Sequence, residues 1–511
     1  MHAGLQAQPQ GFSNINYEFD KYDEQPLVTI IGAGYAGLGL GILLKRSGYK
    51  NFRILERQED VGGCWQANTY PGIACDIPSH LYSFSFIKNP NWSKMWSPGD
   101  EIQRYLRKCA EDEGLLDYIT FGVELDECHW DEAQNKWLVK TNQEEFATDY
   151  FINAAGALVE PDIPDIPGID TFKGKIMHTA KWDNSVDLSG KRVACIGTGA
   201  SAVQMAPQVA KIAKELIVFM RTASHVMPRE NFPYSEAHKR MFAKDPQSME
   251  KHRMDIFWMC ENRYGARRNI EGLVHEQAEI ARKHLEAQVK DPKLREQLTP
   301  KFKPGCKRLL FTSDFFPIFE RDNVTLEPSA LKSVTENTVI SADGNEFEVD
   351  VIAFATGFEV ADSPIRHHLY DRNGKSMQQN INEGVRGLRG LTMPNFPNFF
   401  NLAGLNIGSG HNSQVIYIET LIAETLGALK YCLENKVKTL EPTTKAEHHY
   451  NQDLDQEAEG TIFLDGGCSS WYLDENGKLT ALWPSYTHEF QFANGYFRPE
   501  EYGLSNSKKA A

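Results

Sequence analysis

Short, almost wholly apolar runs that end at glycine punctuate this chain, and such runs read as strands buried in a parallel sheet. The first is LVTIIG, Leu27 to Gly32. It turns through GAGYAG into a helix expected over Tyr35 to Gly48, and a second strand, FRILE, follows at Phe52 to Glu56. Together they make a strand–helix–strand unit of the dinucleotide-binding kind. The pattern returns as RVACIG, Arg192 to Gly197, then GTGASA, a helix over Ser201 to Lys214 and a strand from Leu216 to Arg221. Gly32 and Gly197 thus stand at equivalent points of two similar units. From about His225 to Pro304 the texture changes, and charged residues at helical spacing dominate, as in EGLVHEQAEIARKHLEAQVKDPKLREQL. This stretch reads as a helical insertion that partly covers the cleft between the units. Strand character resumes in NVTLE, TVISA and VDVIAFATGF (Val349 to Phe358), and a long helix, apolar on one face, is expected over Ser413 to Tyr431.

Composition narrows the classes. A chain of 511 residues is too long for one ordinary core, so two or three domains are expected. With 41% hydrophobic and 24% charged residues the profile is globular. The formal charge of -15 disfavours a broad surface for phosphate backbones, so no nucleic-acid partner is expected. No stretch reaches the roughly 18 consecutive apolar residues of a membrane span. The N-terminal segment MHAGLQAQPQGFSNINYEFD is polar and lacks a signal pattern, which reads as a loose arm; the closing SNSKKAA reads as a frayed tail. Nine scattered cysteines without a CxxC pair indicate neither a disulfide framework nor a metal site, and a cytoplasmic setting is the plain reading.

The two glycine turns differ in the residues downstream of them. In the first, Gly32-x-Gly34-x-x-Gly37, glycines let the backbone approach a pyrophosphate at a helix N-terminus. Glu56 lies 24 residues after Gly32, where a carboxylate can accept hydrogen bonds from a ribose diol. The second is Gly197-x-Gly199-x-x-Ala202, and 24 residues after Gly197 stands Arg221, followed by Thr222. Arginine there suits a 2′-phosphate. The first site is therefore expected to take FAD or NAD, and the second NADPH. One chain with both should pass hydride from nicotinamide to flavin. Disulfide reductases of this build need a close cysteine pair, but Cys64 and Cys75 are eleven residues apart on different segments and read as packing residues. Oxygen is the remaining common electron acceptor.

Four segments carry a resemblance. Phe172 to Asp183 reads FKGKIMHTAKWD, placing Phe172, Gly174, His178, Trp182 and Asp183 in the pattern F-x-G-x-x-x-H-x-x-x-W-D. Gly62 to Asp76 reads GGCWQANTYPGIACD, with Trp65 and Asp76 at its marked positions; CKRLLF surrounds Arg308 and CSSWY surrounds Trp471. In these segments, in the same order from about Val28 to Trp483, the chain resembles the type I Baeyer–Villiger monooxygenases. Simpler flavin-containing monooxygenases usually carry Tyr where Trp182 stands. The connection Ala355 to Gly357 (ATG) also fits the family, whereas Ala154 to Gly156 is AAG and the YLDENGKLTALWP segment after Trp471 departs from the family's usual loop.

The resemblance implies a fold and a chemistry. The fold class is α/β, two Rossmann-like dinucleotide-binding domains with a helical insertion: FAD bound by residues 1–156 and 381–511, NADPH by 157–225 and 304–380, and the insertion over 226–303. NADPH would reduce the flavin, the flavin would add O2 at its C4a carbon, and the resulting peroxyanion would attack a small-molecule ketone to give an ester or lactone. Arg308 matches the family's active-site arginine and Asp76 the aspartate beside it. Lys307 matches a residue that reaches the NADPH 2′-phosphate, where Arg221 would join it. His178 matches a position at a domain hinge, and Trp471 a mobile-loop tryptophan that contacts the nicotinamide nucleotide. Two alternatives stay open: sulfur or nitrogen oxygenation, and a non-oxygenating flavoprotein that binds NADPH as a sensor.

Overall fold

Burial on both faces is what the apolar strands require, and they obtain it in two parallel sheets. In the computed structural model, which describes residues 17–505, five strands lie in the spatial order Phe399–Asn401, Tyr150–Asn153, Val28–Ile31, Phe52–Glu56 and Ile119–Phe121. Every neighbouring pair is parallel. A second parallel sheet has the order Val324–Glu327, Glu215–Phe219, Arg192–Ile196, Val351–Phe354 and Lys175–His178. The fold class read from the sequence is therefore the one observed. The expected N-terminal arm up to residue 16, and the tail beyond residue 505, lie outside the described residues; Ser505 itself ends a strand, Tyr502–Ser505, paired with Thr439–Pro442.

The two glycine turns are equivalent in detail. Gly32 has φ +102°, and a Cβ on it would lie 2.6 Å from the carbonyl oxygen of Ala154. Gly197 has φ +112°, and its Cβ would lie 2.6 Å from that of Ala355. Each turn thus presses against one of the two connections, Ala154 to Gly156 and Ala355 to Gly357. The first helix, Tyr35–Arg46, stops two residues before the sequence reading because Gly48 takes φ +80°. Its amide then bonds Lys45 O and that of Tyr49 bonds Leu44 O, which closes the helix end. The second, Ala200–Val209, ends earlier than the expected Lys214, since Gly190 N binds Ile212 O and Lys214 N binds Lys191 O. The long helix runs Gln414–Asn435, with Ser413 as its N-cap residue, and shares one buried core with Tyr35–Arg46.

Other elements were not singled out by hydrophobic pattern. Leu125–Asp131, Lys136–Thr141 and Glu145–Thr148 form an antiparallel meander, and Leu369–Tyr370 adds to its edge. Leu369 and Met377 share a core with Cys128, Trp137 and Phe399, so the chain rejoins the first sheet's side of the molecule by residue 369. Helices Glu236–Lys244, Pro246–Glu261, Tyr264–Arg267, Glu271–Gln288 and Pro292–Gln297 fill the stretch between the parallel pair Val226–Met227 and Leu310–Phe311.

One expectation is corrected. Cys306 and Cys468 are joined by a disulfide. Their separation of 162 residues is invisible to any spacing rule, because only the fold brings the two segments together. Cys64 and Cys75 are free, as expected. Among the described residues no helix is long and apolar enough to cross a membrane.

Candidate active site

The strand pair Val226–Met227 and Leu310–Phe311 sets two arginines beside one carboxylate. Arg308, two residues before its strand, donates from Nε to Asp76 Oδ2 at 2.6 Å and from Nη2 to Asp76 Oδ1 at 2.8 Å. A third bond runs from Nη1 to Ser409 O at 3.3 Å. This is the fork-to-fork geometry that only guanidinium provides. Arg229, just beyond the other strand, donates from Nη2 to Cys75 O at 2.9 Å and lies over the Trp96 ring. Burial alone would raise the Asp76 carboxyl; the charges and hydrogen bonds of Arg308, with the charge of Arg229, hold it below its ordinary value instead. Asp76 in turn raises Arg308, against the effect of burial. The sequence reading missed Arg229, which no motif marks.

Arg308 and Asp76 face a cavity of about 1090 Å³ that reaches both nucleotide-type turns. Gly32, Gly34, Glu56 and Trp65 line it from the first unit, and Ala200, Ser201 and Gln204 from the helix after the second turn. Glu56 is buried and accepts from Ala33 N at 2.6 Å and Gln58 N at 2.8 Å, so its carboxylate is fixed at the cavity wall. Gly37 lies behind the wall; a Cβ there would fall 1.9 Å from Gly32 O. Gln204 joins the units: Nε2 donates to Ala74 O at 2.9 Å, while Oε1 accepts from Tyr70 and Ala74 N. Sequence reasoning missed it because a lone glutamine on a helix carries no signal.

The remaining expected residues fall into three places. Gly197, Gly199 and Ala202 open the second helix; a Cβ on Gly199 would meet nothing within 4 Å, so the approach to that helix N-terminus is open. Arg221 and Thr222 are exposed at the end of the next strand, and Lys307 is close enough that Arg221, after burial, depresses its pKa. The two cations therefore sit together beside the second turn. The fingerprint lies away from the cavity wall. His178 ends the edge strand paired with Val351–Phe354; its Nδ1 accepts from Ala180 N at 3.0 Å, and Nε2 sits 3.4 Å from Thr356 Oγ1 in the second connection. Burial pushes His178 down to about 4. Phe172 and Trp182 pack in hydrophobic clusters, Gly174 allows close approach to Asp350 O, and Asp183 is held by Lys175 and Ser185. Trp471 lines the cavity with 51% of its surface exposed, whereas its neighbour Tyr472, which the sequence reading passed over, is 2% exposed on the same cavity.

The residues present fit two dinucleotides. Gly34 and Gly63 face each other, and a Cβ on Gly63 would lie 3.0 Å from Gly34 Cα, so backbone without side chains lines this helix N-terminus. The second turn offers the same opening with two cations at its rim.

Comparison with known proteins shows the family and the fold. Residues 26–371 match the family model described as flavin-binding monooxygenase-like. A curated relative from Streptomyces coelicolor, named Baeyer-Villiger monooxygenase, is 38% identical over 479 residues, covering 93% of this chain and 92% of the relative. The solved structure of cyclohexanone monooxygenase from Rhodococcus sp. Phi1 bound to NADP+ superposes with a TM-score of 0.84 at 26% identity, over 95% of this chain and all of the other. That of OTEMO in complex with FAD and NADP gives 0.82 at 26% identity, over 94% of this chain and all of the other.

Proposed function

The chain belongs to the flavin-binding monooxygenases and, among them, to the Baeyer–Villiger type, and from that premise we propose which of its residues do the work. It is an NADPH-dependent flavoprotein monooxygenase that carries FAD and inserts one oxygen atom of O2 beside the carbonyl of a small-molecule ketone, giving an ester or lactone.

Gly32, Gly34, Gly37, Glu56 and Trp65 would hold FAD, within residues 1–156 and 381–511. Gly197, Gly199, Ala202, Arg221, Thr222 and Lys307 would hold NADPH, within 157–225 and a second stretch from 304 that ends before residue 369, where the chain rejoins the first sheet's side. Residues 226–303 form the helical insertion, and its boundary strand supplies Arg229. When bound, FAD reduced by NADPH supplies the activation of O2. The chain's own task is then electrostatic. Oxygen insertion places negative charge on oxygen, and Arg308 presents a guanidinium that stays charged at any working pH. Asp76 orients that guanidinium from the first unit. His178 ties the fingerprint to the second connection and serves as a hinge. Trp471 closes over the nicotinamide nucleotide and keeps water from the reacting atoms.

The observation that carries this reading is the bidentate Arg308–Asp76 pair on the wall of a cavity shared by both turns. It favours ketone oxygenation over the oxidation of sulfur or nitrogen, which builds no oxyanion on the substrate carbon. Arg308→Ala should lower ester formation roughly 100- to 1000-fold while anaerobic reduction of the flavin by NADPH stays within about twofold of the parent. A variant that still makes ester at a near-normal rate rules out this role for Arg308. A ketone panel under isotopically labelled O2 identifies the substrate class, since one labelled oxygen enters each ester.

A further inference from the structure

One side chain of the second unit reaches into the segment that carries Asp76. Gln204 lies just over one turn into the helix Ala200–Val209, beyond the open approach at Gly199. Its carboxamide takes both backbone groups of Ala74: Nε2 donates to Ala74 O at 2.9 Å, and Oε1 accepts from Ala74 N at 3.2 Å. A neighbouring strand would engage that residue in the same way. Oε1 also accepts from the Tyr70 hydroxyl at 3.1 Å. The backbones are close as well: Gly72 has φ +86°, and a Cβ on it would fall 2.4 Å from Gln204 O. Tyr70 is buried in the hydrophobic cluster of the second unit, with Ala202, Val203 and Ala206. Residues 70–74 of the first unit are therefore seated on the helix that opens at the second turn.

The next two residues reach the guanidinium. Cys75 N donates to Ser97 O at 3.0 Å, and Cys75 O accepts from Arg229 Nη2 at 2.9 Å. The Asp76 carboxylate then accepts twice from Arg308, at 2.6 and 2.8 Å. Residues 70–76 belong to no helix and to no strand of more than one residue, so partners from other elements set their register. Two extended residues span at most about 7 Å, so a shift at Ala74 passes to the carboxylate with little slack. A displacement of about 1 Å is enough to misaim a reacting group. Gln204, Ala74, Asp76 and Arg308 all line the one cavity.

We propose that Gln204 is a positioning residue for Asp76: through Ala74 it registers the segment that bears the carboxylate against the helix of the second turn. The aim of Arg308 is thereby set from both nucleotide-binding units at once. The inference rests on the readings of Arg308 and of the second turn given above, and extends them to a side chain with no charge of its own.

The test uses the full-length, FAD-loaded protein with a ketone that it turns over. Gln204→Met keeps the length of the side chain and removes its hydrogen bonds. Ester formed per NADPH oxidised should fall about fivefold, with hydrogen peroxide making up the difference. The anaerobic rate of flavin reduction at saturating NADPH should stay within about twofold of the parent. Gln204→Glu retains the acceptor for Ala74 N and Tyr70 but sets a second oxygen against Ala74 O, and its ester yield should fall at least about twofold; it decides the matter alone if Gln204→Met does not load FAD. Tyr70→Phe leaves the Ala74 bonds in place and should keep the parent ratio of ester to peroxide. Adding Gln204→Met to Asp76→Asn should bring no further fall, because the carboxylate that Gln204 positions is already gone. An unchanged ratio in the Gln204 variants overturns the proposal, as do additive falls with Asp76→Asn, or a fall in Tyr70→Phe as large as that in Gln204→Met. A joint loss of thermal midpoint, flavin reduction and ester in both Gln204 variants marks the residue as packing alone and overturns it too. Arg308→Ala run alongside separates the readings: if it keeps making ester, the role of Arg308 fails, and if it loses ester while the Gln204 variants are unaffected, only this inference fails.

Discussion

Arg308 and Asp76 show how one carboxylate fixes the value of one cation. The Asp76 carboxyl sits below its ordinary pKa, so the pair's contribution is complete above that value and is lost only as the pH falls beneath it. Arg308 is raised, so it holds its proton throughout. Between about pH 6 and about pH 9 neither group changes charge, and ester formation at saturating NADPH should show no titration from this pair. Asp76→Asn keeps the shape but removes the charge; ester per NADPH should fall roughly tenfold while flavin reduction persists. A variant as well coupled as the parent would show that Arg308 does not need its partner. The cations at the second turn make a separate case. Arg221→Ala should raise the KM for NADPH about tenfold and leave that for NADH nearly unchanged, because only the 2′-phosphate meets the guanidinium. Adding Lys307→Ala should erase most of the remaining preference, whereas an equal loss for both nucleotides would place the clamp elsewhere.

At the scale of the element, the two glycine turns separate fold from ligand. Gly32 has φ +102° and faces Ala154 O, so Gly32→Ala meets both strain and a backbone clash, and should lower the thermal midpoint and lose FAD. Gly199 has φ -77° with open space around it, so Gly199→Ala should leave stability within about 0.5 kcal/mol and weaken NADPH binding by filling the approach to the helix. Equal stability losses in both variants would deny that distinction. The same physics explains what was legible in the sequence. A strand that must stop at a left-handed residue and feed a helix can hardly avoid glycine, so both turns and their opposite-signed partners, Glu56 and Arg221, could be read directly. Lys136–Thr141 escaped notice because its inward residues, Trp137, Val139 and Thr141, find their partners only through the meander. Within Trp471–Tyr472 no periodicity tells which ring turns inward; tertiary contact decides, and it buries the one without a motif. The Cys306–Cys468 bond joins segments 162 residues apart, and the placement of Arg229 beside Asp76 goes with the pairing of Val226–Met227 with Leu310–Phe311, contacts too remote in sequence for pattern alone.

At the scale of the molecule, burial of neutral histidines sets the response to acid. Burial pushes His80 down to about 3 and His178 to about 4, and lowers His225, His252, His284 and His411 in the same way. A group lowered on folding contributes stability that is complete above its unfolded value, near 6.5, and is lost as the pH falls towards its folded value. At about pH 5 the unfolded chain therefore binds nearly two more protons than the folded one at His80 and His178 alone, a slope of about 2.5 kcal/mol per pH unit. Two of these groups share one seam. His80 meets Tyr234, Phe242 and His252 edge-on, and Arg253 of the insertion donates to His80 O and Ser83 O of the first unit. A proton on His80 faces His252 and the Arg253 charge, so acid should open this seam before it unfolds the sheets. Hydrogen exchange between about pH 7 and about pH 5 should show protection falling first in helices Glu236–Lys244 and Pro246–Glu261, with the thermal midpoint dropping over the same range. His80→Asn should flatten that drop by about one proton's share. Uniform exchange across insertion and sheets, or a midpoint that does not move, would place the acid-sensitive groups outside this seam.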